Sequence, residues 1–101
     1  MPRSAANPSH TLPPSLLRHC AEVQAAFGGR VRELRLAAGL SIEELADRST
    51  LDASYVGQIE RGTRNLSLFN VWRLACGLGV SAGELLRELP SVRPLARSRR
   101  A

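Results

Sequence analysis

The chain has 101 residues, 44% of them hydrophobic, and a formal charge of +5 in which every basic residue is an arginine. A chain of that length is expected to hold one small domain, with too few residues beside it for a separate catalytic domain. It also contains no apolar run near the roughly 20 residues that a membrane-spanning helix needs. The charge is unevenly placed: residues 28–89 hold eight Arg and eight Asp or Glu, residues 1–27 add +1, and residues 90–101 add +4.

Residues 1–14 carry Pro2, Pro8, Pro13 and Pro14 among Ser, Asn and Ala, and are expected to form a disordered arm. No compact apolar segment with a small-residue cleavage site follows, so no secretory signal is expected and the expected location is the cytoplasm. In residues 15–27, Leu16, Leu17, Cys20, Val23 and Phe27 recur at helical spacing. They predict an extra amphipathic helix that Gly28-Gly29 should interrupt. A helix over about residues 29–38 should follow, with Val31 and Leu34 inward and Gly39 as its stop.

The stretch from Gly39 to Asn65 reads as two short helices joined by a tight turn. Ser41 is placed to cap the first, with Glu44 at the capping-box position. Ile42, Leu45 and Ala46 then form one apolar face. Asp52 is placed to cap the second helix, Val56 and Ile59 point inward, and Gly62 ends it. This geometry can lay a short helix in the major groove of DNA. Val56 and Ile59 leave Ala53, Ser54, Gly57 and Gln58 facing outward, with Tyr55 intermediate. Gln58 can pair with the N6/N7 edge of adenine, Ser54 can serve several base edges, and Ala53 offers apolar contact. Arg61, Thr63, Arg64 and Asn65 end the helix and form the next loop, where each arginine can donate two hydrogen bonds to a phosphate. Ser67 can add its hydroxyl or help present backbone N–H groups. Neutrality over residues 28–89 means that phosphate attraction must come from such local clustering, chiefly Arg61 and Arg64, or from helix N-termini.

A fourth helix is predicted over about residues 68–78, with Leu68, Val71, Leu74, Ala75 and Leu78 on one face and Gly79 as its stop. Ser81 and Glu84 predict a second capping box opening a short fifth helix, which Pro90 ends. The remaining tail, with Arg93, Arg97, Arg99 and Arg100, should be mobile and add non-specific affinity for DNA. The fold class expected is all-α: a compact five-helix bundle, with the extra N-terminal helix and mobile ends. The organisation expected is an arm at 1–14, an amphipathic helix at 15–27, the DNA-binding domain at 28–89 and an Arg-rich tail at 90–101.

Nothing in the chain predicts an enzyme. Glu43 and Glu44 are adjacent on a helix and point different ways, and the Gly77-Leu78-Gly79 segment follows no strand that would make it a phosphate loop. Cys20 and Cys76 are too few and too far apart for a zinc cluster and read as small apolar fillers. His10 and His19 have no ligand partner at useful spacing. No metal or cofactor is expected.

The segments GLSIEELA, LDASYVGQIERG and TRNLSL resemble the Cro/C1 helix-turn-helix repressors, and within them the controller proteins of restriction–modification systems. The resemblance runs from about Phe27 to Leu86. It implies that Ala53, Ser54 and Gln58 read bases and that Tyr55 contacts bases or phosphates. It also implies a partly buried ion pair between Arg35 and Glu60. Two positions depart from the pattern. Ala53 stands where many controllers have arginine, which removes a guanine reader. Ile42 stands where relatives have a glutamine that contacts the DNA backbone, which implies either weaker anchoring or a substitute donor such as Ser41. The function implied is a regulator that binds double-stranded DNA at a pseudo-palindromic operator as a homodimer. Phe69, Trp72, Leu85, Leu86 and Leu89 are the dimer candidates, and Trp72 could equally belong to the core. Two alternatives stay open: a DNA-binding antitoxin whose residues 15–27 or C-terminal tail hold a protein partner, and an adaptor using the same fold without DNA.

Overall fold

Twenty-four residues from Pro14 to Ala37 wind into one helix, α1, in the computed structural model, which describes residues 12–95. Proline at the first helical position suits that start, because its missing N–H would have no partner there. The helix passes through Gly28-Gly29 without a break. Gly28 is instead a contact point: a Cβ there would overlap the Ile59 carbonyl oxygen and lie 2.9 Å from that of Glu60. The expected separation of an extra helix from a helix over 29–38 is therefore corrected. The second glycine of the pair meets nothing, since a Cβ on Gly29 would have no atom within 4 Å.

At its C-terminus α1 closes on Gly39 at φ 73°, and Leu40 N–H donates to the Arg35 carbonyl at 3.0 Å. This six-to-one bond is the glycine-dependent helix stop expected from the sequence. Helix α2 spans Ile42–Ser49, α3 Ala53–Glu60, α4 Leu68–Leu78 and α5 Ala82–Leu85. The Ser41 hydroxyl accepts from Glu44 N–H at 3.0 Å, and the Glu44 carboxylate accepts from Ser41 N–H at 2.8 Å, completing the capping box. The bond from the Ser41 backbone N–H, followed by the Ser41 side chain, holds the Glu44 carboxyl below its ordinary range. Asp52 takes the capping position of α3 with extended backbone but makes no side-chain bond. At α5 the box is half formed. Ser81 accepts from Glu84 N–H, while the Glu84 carboxylate turns to Arg30 and Arg87.

The core lies between α1 and the four following helices. Val31, Leu45, Val56, Leu74 and Leu85 are fully buried in it, with Ile59 nearly so. Leu85 was expected on a surface between two copies, and its complete burial assigns it to the core. Leu68, expected on the inner face of α4, is 81% exposed, because it sits at the first helical position and precedes the turn that meets α2. Cys76 is exposed and only Cys20 is partly covered, so the apolar-filler reading fails for Cys76.

Helices α2 and α4 approach closely at Gly77, where a Cβ would overlap the Ser49 hydroxyl. The Ser49 Oγ is itself buried with no hydrogen-bond partner. A buried hydroxyl in that condition costs the hydration it gave up. Ser49→Ala is therefore expected to raise stability by about 1 kcal/mol, read as a higher urea midpoint at unchanged slope. A lower midpoint would mean that the hydroxyl is engaged.

The expected arm at 1–14 falls almost wholly outside the described residues, as do Arg97, Arg99 and Arg100 of the tail. Arg93 is described, and it packs on α1: its guanidinium is 2.8 Å from His19 Nδ1 and 3.7 Å from the Glu22 carboxylate. Arg93 thus ties the tail to the N-terminal half of α1 although residues 91–95 stay exposed, and it is not a free charge in an arm.

Candidate nucleic-acid interface

Helix α3 packs Val56 and Ile59 into the core and leaves Ser54 exposed and Gln58 half-buried on the opposite side. Ser54 and Gln58 stand between two open hollows of about 520 and 510 Å³. One hollow is bounded by Thr50, Tyr55, Arg64, Asn70 and Arg73, the other by Ser41, Ile42, Ala53, Gly57 and Arg61. Two of the outward-facing expectations need adjustment. Ala53 packs partly against the core, and Gly57 is buried at the floor of the second hollow. The Arg61 guanidinium lies over Gly57, 3.4 Å from where a Cβ would be. Glycine keeps this floor low enough for the arginine to cross it.

The loop after α3 is built by the same chemistry as the end of α1. Gly62 takes φ 79°, and Thr63 N–H and its hydroxyl both donate to the Gln58 carbonyl, at 3.1 and 3.0 Å. Thr63 thus spends its hydroxyl proton on the helix end, which leaves its oxygen to accept. Arg61, Arg64, Asn65 and Ser67 are all exposed around this turn. The Ser67 hydroxyl accepts from Asn70 N–H at 3.1 Å and caps α4. Ser41 and Ser67 are alike in this: each oxygen is used in capping, and each hydroxyl proton remains available to a phosphate.

Five side chains that nothing in the sequence connects, Arg64, Tyr55, Gln58, Asn70 and Arg73, form a network beside Ser54. The Arg64 guanidinium lies over the Tyr55 ring, 4.8 Å from its centroid, and donates to Gln58 Oε1 at 2.9 Å. The Tyr55 hydroxyl accepts from Asn70 Nδ2 at 3.1 Å, and Asn70 Oδ1 accepts from Arg73 at 3.2 Å. Arg73 also donates to the carbonyls of Ser49 and Thr50 at the end of α2. Thr50 forms the turn between α2 and α3 at φ 59°, a left-handed conformation that a β-branched residue adopts at a cost. Arg73 thus ties that turn to α4. The signal for it was absent from sequence, since nothing local marks an arginine as the cap of a helix some twenty residues earlier.

Glu60 faces away from this surface. Its two oxygens accept from Arg35 Nε at 2.6 Å and from the second guanidinium arm at 2.9 Å, and both side chains are at least nine-tenths buried. The third nitrogen of Arg35 donates to the Leu40 carbonyl at 2.8 Å. The hydrogen-bonded Glu60 carboxylate, first of all, raises the Arg35 pKa above its ordinary value.

Of the dimer candidates, Phe69 and Trp72 are exposed on α4, with ring centroids 5.9 Å apart and planes 13° from parallel. Leu86 and Leu89 line a shallow apolar hollow with Val23, Phe27 and Leu66, beside Arg64 and Asn65. Among the described residues, no three His, Cys, Asp or Glu side chains gather to hold a metal ion. No described helix is long and apolar enough to cross a membrane.

A helix-turn-helix family model matches residues 31–85, beginning inside α1 and ending at the last residue of α5. The control protein C.BamHI of Bacillus amyloliquefaciens is 42% identical over 65 residues, which span 63% of this chain and 80% of that protein. The control protein C.MunI of Mycoplasma is 35% identical over 69 residues, 67% of this chain and 93% of that one. Among solved structures, the restriction-modification controller protein C.AhdI from Aeromonas hydrophila superposes with a TM-score of 0.61 at 55% identity. It covers 61% of this chain and 94% of its own.

Proposed function

Because this chain belongs to the helix-turn-helix family of DNA-binding transcriptional regulators that includes restriction–modification controller proteins, we propose that it binds a specific operator through α3 as a homodimer. The observation that carries this reading is the exposed Ser54–Gln58 ridge flanked on both sides by arginines, on a domain with no net charge. Arg61 and Arg64 supply local positive charge where α3 would enter the major groove, so attraction is concentrated at one edge. Ser54 and Gln58 read base edges, Ala53 offers its methyl group, and Tyr55 supports the ridge. Thr63, Asn65, Ser41 and Ser67 line the backbone on either side. Arg35 and Glu60 hold α3 to α1 and take no part in contact.

A dimer would set two α3 helices in successive major-groove turns, about 34 Å apart, on a pseudo-palindromic site. The stacked Phe69–Trp72 pair is the apolar surface best suited to that contact, since exposed aromatics in pairs are what interfaces bury. Action on cellular DNA is consistent with a place in the cytoplasm.

Gel shift against the DNA upstream of its own gene tests the reading. Failure to bind at low salt would favour an adaptor role for this fold. Within that experiment, Arg64→Ala is expected to weaken binding on operator and random DNA alike and to lower the salt slope by about one. An unchanged salt titration would remove Arg64 from the phosphate clamp.

A further inference from the structure

We infer that Gln58 reads its base as a hydrogen-bond donor only, and that Arg64 is the residue that sets it so; the inference rests on α3 being the base-reading helix. A glutamine amide has an accepting end and a donating end, and which of them faces the DNA decides what it can recognise. Arginine has donors and no acceptor. The amide atom that meets Arg64 at 2.9 Å must therefore be the Gln58 oxygen. With Oε1 turned to Arg64, the outward end is the Nε2 amino group and its two protons.

The orientation is held from behind. Arg64 is steadied by the Tyr55 ring beneath it, Tyr55 by Asn70, and Asn70 by Arg73, which is anchored on the α2 carbonyls. The guanidinium carries five N–H protons. One serves Gln58, and those on the other nitrogens remain for a phosphate, so clamp and reader act together without competing. Positioning of this kind lowers the cost of ordering the glutamine on binding.

The chemical consequence is a change of target. Recognition of adenine by glutamine uses both ends of the amide, the oxygen accepting from N6 and the nitrogen donating to N7. An amide whose oxygen is already occupied loses the first of these. Guanine offers two acceptors, N7 and O6, to the same pair of amide protons. The Gln58 position in each half-site should therefore prefer guanine to adenine, in place of the adenine expected for a free glutamine.

The test is selection of bound duplexes from a randomised library by the full-length protein and by its Gln58→Ala and Arg64→Ala variants. Each selection is followed by affinities on guanine and adenine versions of the recovered site. The wild type is expected to prefer guanine roughly tenfold at one position that Gln58→Ala makes indifferent. Arg64→Ala, beyond its general loss of affinity, should bring guanine and adenine to within about twofold there, because the freed amide can turn over. Arg64 is exposed and Gln58 half-buried, and thermal melts of the variants verify that they fold. A Gln58-dependent preference for adenine in the wild type, or a guanine preference that survives Arg64→Ala, overturns the inference while leaving operator binding intact. Recovery of no common sequence at all overturns operator binding itself, and the inference with it.

Discussion

Replacing Glu60 with alanine is expected to remove about 3–5 kcal/mol of folding stability, the largest loss from any single polar side chain in this protein. The size follows from what the change leaves behind. Arg35 would keep its charge in a site where less than a tenth of its side chain is exposed, with two of its three nitrogens losing their acceptors. Only the bond to the Leu40 carbonyl would remain. An unpaired buried charge costs far more than the pair itself contributes, since the intact pair has already given up most of its hydration. Because domains of this kind are stable by about 5–15 kcal/mol, the variant should melt far below the wild type or fail to accumulate. The double variant Arg35→Met, Glu60→Leu discriminates the mechanism. It removes both charges and should recover most of the loss in a urea titration. If the double variant were as unstable as the single one, the penalty would belong to packing and not to the stranded charge.

Gly28→Ala should cost about 3 kcal/mol or more, near the upper end of what one added methyl does. The new Cβ would run into the carbonyl oxygens of Ile59 and Glu60, backbone atoms at the end of α3 that cannot rotate aside as a side chain could. Either α1 and α3 separate, opening the core around Val31 and Ile59, or the variant does not fold. Gly29→Ala is the control. Its Cβ meets nothing, and alanine is the better helix former, so it should gain about 0.5–1 kcal/mol. Adjacent glycines in one helix should thus respond in opposite directions by thermal melt. Equal and small effects at both would mean that α1 does not approach α3 as described. Since α3 carries the proposed reading face, a Gly28 variant that survives should also bind DNA less well without touching it.

The caps of the short helices were legible in residue order because their bonds close within a few positions. Ser41 with Glu44, and Gly39, Gly62 and Gly79 in left-handed turns, are each decided by local backbone geometry. The two-helix motif could be read for the same reason, and Val56 and Ile59 followed from helical spacing alone. Where reading failed, local rules pointed the wrong way. A Gly-Gly pair disfavours helix, yet packing against α3 more than repays that, and only the glycine at the contact is needed for it. Leu85 and Leu86 are neighbours of equal hydrophobicity. One is fully buried and the other more than a third exposed, because α5 meets the core with one face only.

What residue order determined by itself was therefore the four short helices, most of their ends, and the helix that presents polar groups outward, all of which depend on interactions within one turn of chain. Tertiary structure alone decided which groups those outward residues would be. The turn before α3 is held by Arg73 from α4, the ring of Tyr55 supports Arg64, and Arg64 fixes the amide of Gln58. The steps from Tyr55 to Arg64 and from Arg64 to Gln58 close within α3 and the loop after it, whereas the bonds of Arg73 to α2 and of Asn70 to Tyr55 join elements far apart in the chain. They exist only once α2, α3 and α4 have packed around a common core, because a hydrogen bond across that separation needs the chain already folded to bring its ends together.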